Sequence, residues 1–228
     1  MQKEPIFSFK GGMETLIKGL TDTLEGNIHY NSPATSLTIH PEGIEVGIGD
    51  QRLFADRVIS TLPTQTVSNL LQIHSPCQSA ASVAVIALGF NQQHLKHKGF
   101  GYLVPSKENE NILGMVWDST TFPSQNTHSH QTRLTVMVDA QSPKDFKNTA
   151  LDALARHLHI EAQPDVLEVK IATNAIPHYS IGHKEQTTNF IHQCKALSPN
   201  LSLLGTAFHG VAVNDCIAQV FSMMEGEI

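Results

Sequence analysis

The chain has 228 residues, 40% hydrophobic and 16% charged, enough to bury a substantial core in one or two domains. Its formal net charge is −6 with histidines neutral, and Lys and Arg are scattered, which excludes a phosphate-tracking nucleic-acid surface and a polybasic membrane patch. Cys77, Cys194 and Cys216 have no CxxC spacing and leave an odd thiol, which fits a reducing compartment better than a disulfide scaffold.

The start, Met1-Gln2-Lys3-Glu4-Pro5, is polar and lacks the basic-then-apolar order of a signal peptide. After Gly11-Gly12-Met13, the residues Leu16, Ile17, Leu20 and Leu24 recur at helical spacing, and Gly26-Asn27 ends that helix. Strands are predicted over Asn27–Tyr30, Ser36–His40 and Gly43–Ile48, the last with Ile44, Val46 and Ile48 in strict alternation after a Pro41-Glu42-Gly43 turn. Arg57–Leu62 reads as a buried strand stopped by Pro63, and Thr64–Ile73 as a short helix.

Next come strand-like segments at Ser82–Phe90, Gly101–Val104, Ile112–Asp118 and Arg133–Asp139, with a polar surface loop over 124–132. The longest apolar run, Val83–Leu88, is far short of the ~20 residues of a membrane span, so a soluble, cytoplasmic protein is expected. Residues 143–160 form an amphipathic helical pattern, with Leu151, Leu154, Ala155 and Leu158 on one face. Val166–Thr173 is a strand and Lys184–Leu197 a helix. The pattern is α/β of a mixed α+β kind: strand–helix pieces at both ends, interrupted by a β-rich insertion over about 82–180.

The run Leu201–Cys216 carries the strongest chemical signal: an apolar strand, a turn bounded by Gly205 and Gly210, then a helix start. Such a turn aims backbone N–H groups and the positive end of a helix dipole at its guest, and an anion or an electron-rich ring suits it. No strand–GxGxxG–helix unit accompanies it. The nearest approach, Gly47-Ile48-Gly49-Asp50-Gln51-Arg52, has neither a third glycine nor a helix behind it.

Other chemistries find little support. The pairs His94/His97, His128/His130 and His157/His159 have no evident third ligand, so no metal site is expected. No Ser-His-Asp or GxSxG arrangement supports hydrolysis, Cys216 reads as a packed residue a turn inside its helix, and Asp118 and Asp215 lack a carboxylate partner for acid–base work. No catalytic side chain is assigned.

Several segments together resemble a known family. They are Gly11–Leu16, Ala55–Ser60, Ser82–Val85, Gly99–Ser106, Leu113–Ser119 with Phe122-Pro123, Ile176–Tyr179 with Gly182-His183, and Gly210–Cys216. On these the chain is similar to the C-terminal half of the flavin-dependent protoporphyrinogen oxidases, within the flavin amine-oxidase superfamily. The double-glycine and Ala-Asp-Arg-Val segments are shared across the superfamily; Gly99–Pro105 and Gly210–Cys216 together are the specific ones.

The resemblance implies a two-domain FAD protein of the hydroxybenzoate-hydroxylase type. Its partial FAD-binding domain would be residues 1–81 and 181–228, and its porphyrin-binding domain residues 82–180. The activity implied is the six-electron oxidation of protoporphyrinogen IX in heme biosynthesis, by hydride transfer to the flavin with oxygen as reoxidant. By matching position, Val211, Ala212 and Val213 would lie against the isoalloxazine, Thr206 close to the cofactor, and Ala34 at the adenine end. Leu103, Val116 and Met137 would sandwich the tetrapyrrole. His178 and His183 fall in a segment the family places near the substrate channel.

The family's glycine turn, its membrane-contacting helices and its propionate-pairing arginine belong to the N-terminal half, which has no counterpart in the 228 residues. The chain alone is therefore expected to be inactive and to need that half or a partner chain, with membrane contact confined to the missing region. Alternatives are a coproporphyrinogen oxidase, a polyene desaturase, an amine oxidase, or a non-catalytic porphyrin-binding fragment. The scarcity of Tyr and Trp disfavours the aromatic surround common in amine oxidases.

Overall fold

The computed structural model describes residues 7–76, 79–141 and 145–226. In chain order the elements are α1 (Glu14–Asp22), β1 (Ser36–His40), β2 (Gly43–Ile48), β3 (Gln51–Ala55), β4 (Val58–Ser60) and α2 (Thr64–Leu71). β5 (Ser79–Phe90), β6 (Gly101–Leu103), β7 (Gly114–Val116), α3 (Asp118–Thr121), β8 (Thr132–Asp139), α4 (Phe146–Ala153) and β9 (Val166–His178) follow. α5 (His183–Leu197), β10 (Leu201–Leu203) and α6 (Val213–Glu225) close the chain. The architecture is mixed α/β, and it divides into two discontinuous compact units: the described parts of Met1–Asn27 with Ser82–Thr173, and of Ile28–Ala81 with Asn174–Ile228.

The first unit is built on a sheet of order β6-β7-β8-β5-β9. β8 alternates strictly: Leu134, Val136 and Val138 are buried, and Arg133, Thr135 and Met137 point to the other face. The inward set packs with Ile86, Leu88, Phe90 and Met115 against Ala150, Ala153 and Leu154 of the helical layer. Each buried Leu, Val, Ile, Phe or Met side chain contributes about 1.5–3 kcal/mol by leaving water, and each alanine about 0.8 kcal/mol. α4 starts where the Asp145 carboxylate accepts the Asn148 N–H at 3.0 Å. It then widens into a π turn over Leu154–Leu158 and ends on left-handed His159 (φ 55°). The helical pattern read over 143–160 thus begins at Phe146 among the described residues.

The sequence division groups residues 1–81 together; by compactness the described residues 7–27 cluster with the described part of 82–173. The tie is chemical: the Gln125 side-chain amide donates to the Phe9 carbonyl at 2.7 Å and to Ser8 Oγ at 3.2 Å.

The second unit holds the antiparallel meander β1-β2-β3 and the parallel pair β4–β10. Leu37↔Val46 and Ile39↔Ile44 set the β1–β2 register. Gly43 is required there, because a Cβ would lie 2.6 Å from the Ala55 carbonyl. Leu37, Ile44, Val67, Phe190, Cys194, Leu201, Leu203 and Phe208 form the core beneath α2 and α5.

Several strand readings need correction: Ile112–Asp118 shortens to Gly114–Val116, and Val166–Thr173 lengthens to His178. Asn27–Tyr30 forms no strand, since no neighbouring strand offers it a ladder and Ile28 and Tyr30 lie exposed. The buried strand read over Arg57–Leu62 shortens to Val58–Ser60. β3 was not anticipated, because Gln51 to Phe54 are all exposed and show no alternation. The Gly47-Ile48-Gly49 run is the β2–β3 hairpin, with Gly49 at φ 57°.

Candidate functional site

The strand–turn–helix of the second unit forms as the C-terminal run predicts. β10 pairs in parallel with β4 (Leu201↔Val58, Leu203↔Ser60), and the Leu204 N–H extends the ladder to the Ser60 carbonyl at 2.9 Å. The chain then turns through Gly205 (φ 111°) and Gly210 (φ 142°), backbone conformations that L side chains rarely adopt. A Cβ on Gly210 would strike the Asp215 carboxylate. Ala212 caps α6 in an extended conformation (φ −78°, ψ 153°), and the Asp215 carboxylate accepts its N–H at 3.0 Å.

Of the predicted flavin-facing residues, Val211, Ala212 and Val213 are consecutive, exposed and at the helix start. The N–H groups of Val211, Val213 and Asn214 have no acceptor among the described residues. Thr206 is exposed in the same turn. Ala34 is half-buried just ahead of β1, beside Thr35, whose N–H is bound by the Gly47 carbonyl at 2.8 Å.

Tyr179 and Gln219, to which sequence reasoning gives no role, and His183, which the resemblance sets near the substrate channel, hold this turn. Tyr179 Oη donates to the Thr206 carbonyl at 2.6 Å and accepts the Gly210 N–H at 3.0 Å. Its ring stacks on His183 with centroids 3.7 Å apart and planes 11° apart. Gln219, only 4% exposed, accepts the Gly205 N–H at 2.9 Å. Asp215, read from sequence as a carboxylate without a partner, is the cap just described. Burial raises the Tyr179 pKa, so the phenol stays a donor. His209, on the turn, has its pKa lowered by burial and by the nearby His183 and Lys184.

In the first unit Leu103, Val116 and Met137 share one sheet face. Leu103 pairs with Gly114 and Gly114 with Met137, while Val116 lies two residues along from Gly114. The row across three strands is therefore large–glycine–large, with Leu103 82% exposed. On the opposite face Tyr102 Oη meets His157 Nδ1 at 2.7 Å, His157 Nε2 meets Glu110 at 3.2 Å, and Arg156 grips Glu110 bidentately at 2.6 and 2.7 Å. Burial pushes the Tyr102 pKa up to about 12. Asp118, whose pKa burial raises, accepts from Thr135 at 2.8 Å.

A separate hollow of about 640 Å³ is lined by Lys96, His97, Lys98, His128 and polar neighbours, and by none of the predicted site residues. Among the described residues no group of three His, Cys, Asp or Glu converges as a metal site. Cys194 and Cys216 are free thiols, and Cys77 lies outside the described residues. No helix among the described residues is long and apolar enough to cross a membrane.

The model of the family described as flavin containing amine oxidoreductase matches residues 1–219. The chain belongs to that family. Among curated relatives of this chain, the protoporphyrinogen oxidase of Homo sapiens is 33% identical, over 92% of this chain and 49% of its own length. The coproporphyrinogen III oxidase of Bacillus subtilis (strain 168) is 24% identical, over 91% and 48%. A solved structure from Exiguobacterium sp. 255-15, described provisionally as a protoporphyrinogen oxidase, superposes with a TM-score of 0.87 at 23% identity, covering 96% of this chain and 51% of that one. The chain thus has the flavin amine-oxidase fold and spans about half the length of the curated relatives it matches.

Proposed function

We propose that this chain is the C-terminal half of an FAD-dependent protoporphyrinogen oxidase, in a two-domain fold of the hydroxybenzoate-hydroxylase type. The observation that carries the reading is the glycine-bounded turn into α6, where the N–H groups of the exposed residues Val211, Val213 and Asn214 have no acceptor among the described residues. Its donor set suits an electron-rich ring edge: several backbone donors, the positive helix end and small or branched apolar side chains, with the one adjacent carboxylate already engaged by Ala212. The flavin, when bound, supplies the two-electron acceptor chemistry. Val211, Ala212 and Val213 would hold it flat against the backbone and favour negative charge on it by ~0.3–2 kcal/mol, with Thr206 alongside and Ala34 at the adenine end.

The open sheet face carrying Leu103, Val116 and Met137 would hold the flat apolar tetrapyrrole. Apolar walls with few polar anchors suit such a ligand, and the flexible Met thioether adapts to an aromatic edge. The pyrophosphate grip of a GxGxxG turn, absent from the 228 residues, would come from an N-terminal half, which would also carry any membrane contact. Oxygen would be the terminal oxidant, over three two-electron steps.

The test is to co-express the chain with the N-terminal half of a similar protoporphyrinogen oxidase and follow protoporphyrin fluorescence after adding protoporphyrinogen IX in air. Oxidation by the pair and by neither part alone is expected. Oxidation only of coproporphyrinogen would move the substrate assignment, and no oxidation of either would leave a porphyrin-binding fragment as the better account.

A further inference from the structure

We infer that Tyr179 is a positioning residue for the flavin-facing turn, its hydroxyl setting the direction in which the Val211–Asn214 donors point; this rests on the flavin reading of that turn. The geometry is specific. One phenol oxygen donates to the Thr206 carbonyl at 2.6 Å and accepts from the Gly210 N–H at 3.0 Å, closing the turn like a crossbar. Gly210 needs such an anchor: at φ 142°, with Asp215 packed where a Cβ would be, it has no side chain of its own to fix it.

The crossbar is itself held. Tyr179 stacks on His183 of α5 (3.7 Å, 11°), and His183 Nε2 lies 3.4 Å from the Phe208 carbonyl, inside the same turn. Gln219 pins the Gly205 end at 2.9 Å and Asp215 pins Ala212 at 3.0 Å. The turn is therefore fixed at its start, across its middle and at its exit, and the Tyr179 hydroxyl joins Thr206 near its start to Gly210 at its end.

Tyr179→Phe keeps the ring and the stack and removes only the oxygen. A merely structural role would weaken oxidised and reduced flavin alike. Misaimed donors lose the reduced form selectively, because that is where negative charge gathers. With the chain loaded with FAD, alone or beside the N-terminal half of a similar oxidase, Y179F is predicted to weaken reduced flavin about tenfold more than oxidised flavin. That would appear as a midpoint potential lower by about 30 mV for a two-electron couple.

Hydrogen exchange on the chain without flavin reads the crossbar directly: the Gly210 amide is predicted to exchange faster in Y179F, with β8 amides unchanged. Should Y179F not fold, His183→Ala removes the stack instead and should give a smaller shift of the same sign. An unchanged potential with wild-type FAD binding intact would overturn the positioning role alone. Absence of FAD binding by the wild type in both settings would overturn the flavin reading and this inference with it.

Discussion

Single residues carry the site's geometry, and their effects can be read separately. Gly210→Ala forces a Cβ into the Asp215 side chain at a left-handed φ. It should destabilise the second unit by ~1–3 kcal/mol, seen as a lower urea midpoint; an unchanged midpoint would contradict the backbone argument. In the first unit the Arg156 guanidinium, then His157, hold the Glu110 carboxyl below its usual range. A depressed carboxyl contributes stability above its unfolded pKa of 4.5 and loses it as pH falls through the lower folded value. Glu110→Gln should therefore melt below wild type at pH 7, with the gap closing under acid; a pH-independent gap would exclude the ion pair as its source. Cys194 is fully buried, its pKa pushed up to about 11 by that burial. It should resist N-ethylmaleimide at pH 8 in the folded chain and react only on unfolding, as mass spectrometry would show.

Among the elements, legibility follows exposure and sequence distance. β1 and β2 are readable to the residue because their apolar side chains alternate in the sequence, Leu37 and Ile39 in one and Ile44, Val46 and Ile48 in the other. β3 was invisible because its exposed side chains leave no period to detect, although its backbone pairs fully with β2. The false strand at Asn27–Tyr30 had the alternation but no partner. The π turn after α4 left no trace, since Leu154 and Leu158 fit an α-helical stripe equally well. Leu154 is fully buried against the sheet. Leu154→Ala should cost ~2–5 kcal/mol in denaturant unfolding, and a cost below 1 kcal/mol would mean that helix is peripheral to the core. The turn Gly205–Gly210 was legible as local chain order. Its Tyr179 brace was not, because the two hydrogen bonds span 27 and 31 residues and a tyrosine in a loop announces no partner.

At the scale of the molecule, two helices leave apolar faces open in a chain that spans about half the length of the curated relatives it matches. α1 has no buried residue, and its Ile17 (58% exposed) and Leu20 lie exposed together with Met13 and Leu24 just outside its ends. In the other unit Val220, Phe221 and Met224 of α6 are exposed in the same way. Isolated soluble chains rarely keep such faces bare. The 228 residues alone should self-associate in sedimentation, and the co-expressed N-terminal half should suppress it; a monodisperse monomer would contradict this. On the proposed reading half of a flavin site resides here, with the donors of the α6 start present and the pyrophosphate grip elsewhere. The most direct test of that reading is a titration with FAD, followed by fluorescence quenching, of the chain alone and of the chain with the N-terminal half. Weak or no binding alone and tight binding by the pair is the predicted result, and equally tight binding by the chain alone would contradict it.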